Sequence, residues 1–190
     1  MLSSSLTKGI KEDKEMPAKS RGDILEKAAL LYVAFGSNMG DRETLISRAA
    51  EMLGERIGRL VSLSPLHETK PEGFVSKRLF MNAAATYETR LKAIEILKIS
   101  QAIERELGRK RKSRNGVFHD RPIDLDLLWK SDEATDTPEL VLPHPRMKER
   151  LFVLEPLAEI APQMEIEGEG ISDIIERLHK EAETRAGSVI

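Results

Sequence analysis

Apolar and polar positions along this chain alternate between two periods, and the switches divide it into elements. "ALLYVAFG" (Ala29 to Gly36) is a continuous apolar run with Tyr, Val and Phe, ending in "GSNMGD". It predicts a buried strand followed by a Gly/Asn turn. In "DRETLISRAAEMLGE" Leu45, Ala49, Met52 and Leu53 recur at helical spacing, and Asp41 can accept from the free N–H groups at the helix start. "GRLVSLSPLHET" (Gly58 to Thr69) predicts a second strand broken at Pro65, and "LFMNAAATYET" (Leu79 to Thr89) a third. The loop between them, "KPEGFVSKR", is rich in Pro, Gly and charge. The longest helical pattern is "LKAIEILKISQAIERELG", where Ile94, Leu97, Ile103 and Leu107 form the apolar face and Gly108 is a natural stop. A basic loop, "RKRKSRNGVFHDR", leads into the strand "PIDLDLLW" and an acidic connector from Ser131 to Pro138. "ELVLPHPRMKERLFVLEPLAEIAP" then predicts a short strand, a Pro-rich turn and a helix. Beyond Pro162 the pattern predicts a hairpin or loop, a helix from about Ile171 to Glu181, and a fraying end over 184–190.

The connections between these elements are too short to make every strand pair parallel. The order therefore predicts an α+β sandwich, with a mainly antiparallel sheet flanked by helices in one domain over 29–183. Residues 1–28 are polar, charged and short of large apolar groups, so they cannot offset their ordering entropy and are expected to form a disordered tail.

With 40% hydrophobic and 33% charged residues the composition is that of a soluble globular protein. A net charge of -2 supplies no global field for nucleic acid or an anionic membrane. No apolar run reaches the roughly 18 residues of a membrane span, and the N-terminal stretch lacks the apolar core of a signal peptide. The absence of cysteine excludes disulfides and thiol chemistry. The expectation is a cytoplasmic protein without nucleic-acid or membrane partners, acting as a monomer, with a dimer left open.

The candidate chemistry gathers around "HDRPIDLDLLW". On a strand, Asp124 and Asp126 project from one face while Ile123, Leu125 and Leu127 project from the other. Two carboxylates about 6.5 Å apart along a strand can converge on hard cations of the kind used in phosphoryl transfer. A half-exposed strand with its polar residues in water is the alternative. Upstream, Arg109, Lys110, Arg111, Lys112 and Arg114 form a basic loop, with Arg121 just before the acids. Acids beside arginines suit a metal–polyphosphate complex, the acids holding metal and the guanidinium groups phosphate. A solvated loop or a nucleic-acid patch would also explain the basic run. No G-x-x-x-x-G-K-[ST] occurs, so a nucleotide would not sit on a P-loop. His144 stands between two prolines, with Arg146, Lys148 and Arg150 following at helical spacings. Asn82 is an amide inside an apolar strand, where a buried polar group requires a partner. Phe80 shares its face and Phe152 offers a second ring; core packing is the plainer explanation of both.

"GSNMGD", "NAAATYET", "QAIERELGRKR", "RPIDLDLL" and "LPHPRMKERLFVLEPLAEIAP" occur in this order, and together the chain resembles the hydroxymethyl-dihydropterin pyrophosphokinases of folate biosynthesis from about Leu31 to Pro162. The resemblance implies a ferredoxin-like α/β sandwich and transfer of the pyrophosphoryl group of ATP to the hydroxymethyl group of a reduced pterin. It makes Asp124 and Asp126 ligands of two Mg2+ ions, with Arg109, Arg111 and Arg121 as phosphate clamps. Asn82 would bond the pterin, Phe80 and Phe152 would stack on it, and Gly36, Thr69 and Pro71 would wall it. Gln101, Glu104, His144 and Arg150 would face ATP. Family members commonly carry "RWGPR" before the acids where this chain reads "NGVFHDR"; Phe118 is then the ring expected to close over the pterin. The loops Lys70 to Arg78 and Arg109 to Asp120 are the expected lids, excluding water from the activated nucleotide. A non-catalytic binding module and a metal-dependent nuclease are the rival readings.

Overall fold

The computed structural model describes residues 27–110 and 119–187. The chain enters through strand β1 (Ala29–Ser37), followed by helix α1 (Arg42–Ile57), β2 (Gly58–Leu63), β3 (His67–Thr69), β4 (Phe80–Thr89), helix α2 (Ala93–Glu106) and β5 (Asp124–Lys130). The main sheet runs β2-β4-β1-β5, with β3 also on β4, and every pairing is antiparallel. With β2 and β3 taken as one interrupted strand, this is the β-α-β-β-α-β order of a ferredoxin-like unit. Ser64 explains why the interruption costs little: its N–H donates to the Ala84 carbonyl at 2.9 Å, and its hydroxyl accepts the Ala84 N–H at 3.0 Å.

Alternation along β1 sends Leu31, Val33 and Phe35 to one face and Tyr32 and Ala34 to the other. The first set packs under α1 and α2 with Ile46, Leu53, Ile96 and Ile103. Asp41 caps α1 as its sequence implies, accepting from the Thr44 N–H at 3.2 Å. Within the two helices most of the expected face is inward: Ala49, Met52, Leu53 and Ile103 are buried, and Leu97 and Leu107 pack against the core. The exceptions are single steps: Ile46 is fully buried where Leu45 is half-exposed, and Ile96 is fully buried where Ile94 is half-buried. The helix axis has to lie along the sheet, and that choice rotates which of two adjacent apolar residues is covered.

The second face is covered by helices α3 (Leu151–Ile160) and α4 (Ile171–Gly187), giving three layers. Leu154, Leu157, Ile171 and Ile174 are fully buried there. The acidic connector is more ordered than its composition suggested: β6 (Thr135–Asp136) pairs with β7 (Val141–Leu142). The hairpin expected after Pro162 is β8 (Glu165–Ile166) with β9 (Glu169–Gly170), and α4 continues past Glu181 into the stretch expected to fray. No helix among the described residues is long and apolar enough to cross a membrane.

Candidate active site

Three strands present one polar rung at the end of the sheet. Gly36 on β1 is in register with Asn82 on β4 and with Asp124 on β5. One step further in, Ala34 is in register with Ala84 and Asp126. The two acids therefore share the face that the strand period assigned them, while Leu125 and Leu127 are buried on the opposite face. A cavity of about 270 Å³ opens over this rung. Its floor depends on Gly36, where a Cβ would stand 3.4 Å from Asn82 Oδ1 and 3.7 Å from the Phe80 ring.

On one side lies an aromatic slot. Asn82 is 3% exposed, and its amide nitrogen donates to Thr69 Oγ1 at 2.8 Å, which fixes the carboxamide. Phe80 and Phe152 line the cavity with it. Each ring is met by a cation: the Arg121 guanidinium carbon lies 5.1 Å from the Phe80 centroid, and that of Arg150 5.7 Å from the Phe152 centroid.

On the other side, Asp124 joins two arginines. Arg121 Nη2 reaches its carboxylate at 2.7 Å, and Arg109 Nη1 pairs with its other oxygen. Arg109 is also held at 2.6 Å by Glu104, which accepts the Leu125 N–H at 2.9 Å. Burial, opposed by Arg109, raises the Glu104 carboxyl above its ordinary value. Asp126 differs from its neighbour: 41% of its side chain is open, and Arg150 stands 3.8 Å away. Desolvation on its protein side, and then the Asp124 charge, push its carboxyl up to about 7, with Arg150 and Arg121 pulling the other way. His144 is driven down to about 4, by burial first and then by the Arg150 charge, so its ring is neutral at pH 7. In that state its Nδ1 accepts the Arg146 N–H at 3.2 Å.

Arg121 owes its place to Asn38, in the turn after β1. Asn38 Oδ1 accepts the Arg121 N–H at 2.8 Å, and the Asn38 N–H donates to the Arg121 carbonyl at 3.1 Å. Its side-chain nitrogen also holds Asp120 at 2.6 Å. Arg121 Nε is buried with no hydrogen-bond partner, a donor held ready for an anion in a site where such a group is otherwise costly.

Among the lining residues, Lys70, Arg109, Arg121, Arg146 and Arg150 oppose only Glu72, Asp124 and Asp126, a positive balance suited to a polyanion. The acids supply hard oxygen donors, and among the described residues no group of three or more His, Asp or Glu could hold a metal by itself. The pair fits a cation that takes one or two protein carboxylates and completes its shell from water and phosphate, which is the habit of magnesium.

A family model described as 7,8-dihydro-6-hydroxymethylpterin-pyrophosphokinase (HPPK) matches residues 32–162. The chain belongs to this family. A 2-amino-4-hydroxy-6-hydroxymethyldihydropteridine pyrophosphokinase of Porphyromonas gingivalis is 53% identical to it over 135 residues, 70% of this chain and 92% of that protein. One so named from Bacillus subtilis is 45% identical over 139 residues, 73% of this chain and 81% of that protein. Among solved structures, a Plasmodium falciparum HPPK-DHPS superposes with a TM-score of 0.67 at 15% identity, covering 84% of this chain; the chain spans 47% of that longer one, and the likeness is one of fold.

Of the residues assigned through the HPPK pattern, Gly36, Thr69, Phe80, Asn82, Arg109, Arg121, Asp124, Asp126, His144, Arg150 and Phe152 all line the cavity. Three do not. Pro71 lies in the loop beside it, Gln101 is half-buried on α2 outside the lining, and Glu104 is buried against Arg109. Glu104 is held below the cavity wall by its two partners, Arg109, which itself lines the cavity, and the Leu125 N–H. Arg111 and Phe118 lie outside the described residues, as do residues 1–26 of the expected tail. Of the basic residues after His144, Arg146 and Arg150 face the cavity, whereas Lys148 turns away to Glu167 and Glu169 at 3.3 and 3.2 Å. Asn38, Phe74, Lys70 and Glu72 were not singled out from the sequence. Asn38 carried a signal, because an amide two residues past an apolar strand has to bond something when buried. Phe74 carried none, being a lone ring in a charged loop.

Proposed function

We propose that this chain transfers the pyrophosphoryl group of ATP to the hydroxymethyl oxygen of 6-hydroxymethyl-7,8-dihydropterin, giving AMP and the pterin diphosphate, a step of folate biosynthesis. The observation that carries this reading is the rung Asn82–Gly36–Asp124, which sets a flat aromatic slot directly against acids and arginines. A planar substrate in the slot presents its side arm to the charged half of the cavity.

The chemistry needs no protein nucleophile. The pterin hydroxyl oxygen attacks the β-phosphorus, the bond from that phosphorus to the α-phosphate oxygen breaks, and the hydroxyl proton leaves to solvent or a nearby acceptor. Asp124 and Asp126 would hold magnesium, which when bound neutralises charge on the phosphate oxygens. Arg121 and Arg109 place fixed positive charge beside the reacting group, and their ion pairs with Asp124 keep them aimed before substrate arrives. Arg150, beside Asp126, and the neutral ring of His144 line the same cavity and would support the nucleotide. Asn82 reads the hydrogen-bonding edge of the heterocycle, and Phe80 and Phe152 hold its faces.

The test is an assay for AMP with ATP, magnesium and the reduced pterin alcohol. AMP release should require the pterin and stop on chelation of magnesium. AMP or phosphate released equally without pterin would sink the proposal and favour a hydrolase.

A further inference from the structure

Of the five phenylalanines in the chain, four line the cavity: Phe35, Phe74, Phe80 and Phe152. Phe35 is locked in the core at 2% exposure. Phe80 and Phe152 already have a role as the faces of the slot. Phe74 is placed differently from all of these. It sits in the segment between β3 and β4, directly after Gly73, whose φ of +79° is a conformation that side-chain-bearing residues rarely adopt. Its neighbours Glu72, Gly73 and Val75 are exposed, Val75 completely. Phe74 is the one aromatic ring this stretch turns to the cavity, beside Lys70 and Glu72, and it meets Phe80 at right angles, 86° between planes and 6.1 Å between centroids.

The Phe80 ring therefore meets one cation, Arg121, and one other ring, Phe74. Arg121 is tied through its backbone to Asn38 and through its side chain to Asp124. It is committed to the charged half of the site. Phe74 is an apolar ring on a loop with Gly73 before it, standing edge-on beside the Phe80 face on which a planar molecule would lie.

We propose that Phe74 is a binding residue for the reduced pterin, the ring that closes the slot on its loop side, a part for which the sequence pointed instead to Phe118. The assignment rests on the pyrophosphokinase reading and adds to it a specificity element carried by the loop Lys70 to Leu79. It predicts a loss confined to one substrate. Removing an aromatic ring in edge contact with the heterocycle should weaken the pterin about tenfold, and ATP, bound in the charged half, should be unaffected.

The experiment compares the wild type with Phe74→Ala and Phe74→Trp. Affinity for 6-hydroxymethyl-7,8-dihydropterin is measured by calorimetry in the presence of magnesium and a non-hydrolysable ATP analogue, and KM is measured for both substrates. Phe74→Ala should raise the pterin Kd and KM about tenfold while leaving the ATP KM within about twofold. Phe74→Trp should restore pterin affinity, and its emission should be quenched by the pterin; the native Trp129 lies outside this cavity and should not respond. Unchanged pterin affinity in Phe74→Ala, or equal weakening of both substrates, overturns the assignment while leaving the pyrophosphokinase reading intact. Failure of the wild type to bind the pterin overturns that reading and the Phe74 assignment with it.

Discussion

The two site aspartates, chemically identical and two residues apart, have different burdens. Asp124 is 16% exposed and balances two buried guanidinium groups; Asp126 is open and only loosely paired. Removing one partner from a buried ion cluster leaves the others uncompensated, at about 3 kcal/mol or more. Both Asp124→Ala and Asp126→Ala should reduce pterin-dependent AMP release by at least about a hundredfold. Only Asp124→Ala should also lower the denaturant midpoint by an amount equivalent to about 3 kcal/mol. Equal stability of the two variants in urea would contradict this division. His144 gives a second test. Its folded value of about 4 lies below the unfolded value of about 6.5, so the unfolded chain binds the proton first as pH falls. The stability this confers is complete above about 6.5 and is lost as pH falls toward 4. His144→Asn should flatten that loss by about 1 kcal/mol between pH 7 and 5, after allowance for partial exposure, as read from urea midpoints at the two pH values.

Among the elements, the strands were easiest to read and the helical faces hardest. Continuous apolar runs such as "ALLYVAFG" leave few alternatives to a buried strand, and Pro65 marked the break between β2 and β3 correctly. In α2, apolar residues occur on more than one face, and periodicity alone could not choose between Ile94 and Ile96; packing on α1 and β5 made the choice. Junctions were the other blind spot. Gly58 ends α1 and starts β2 with φ +139°, and a Cβ there would stand 2.2 Å from the Glu88 carbonyl oxygen. That oxygen is backbone in the middle of the sheet and cannot retreat. Gly58→Ala should therefore destabilise by about 3 kcal/mol, far more than the few tenths expected of an exposed glycine change, with loss of thermal midpoint as the measure.

For the molecule as a whole, the second helical layer supplies part of the cavity wall as well as a core of its own. The family match ends at residue 162, yet Ile171 and Ile174 of α4 are fully buried with Leu154 and Leu157 of α3. The helix carrying Phe152 thus depends on α4 for its cover. Truncation after Gly170 should expose this core, giving a species that binds a hydrophobic dye and loses its near-ultraviolet circular dichroism; a truncated chain that melts cooperatively would refute the dependence.

By itself the sequence determined the strand and helix order, the antiparallel character of the sheet, and the shared face of Asp124 and Asp126, because all of these follow from local period and short connections. Its motifs also led to most of the residues that line the cavity. What only tertiary structure decided was how distant elements meet: Asn38 fastening Arg121 across 83 positions, Glu104 buried beneath Arg109, and Phe74 turned in against Phe80. Local sequence encodes which way a side chain leaves its own element. Which partner it finds depends on strand register and helix docking, and these are fixed by the core as a whole.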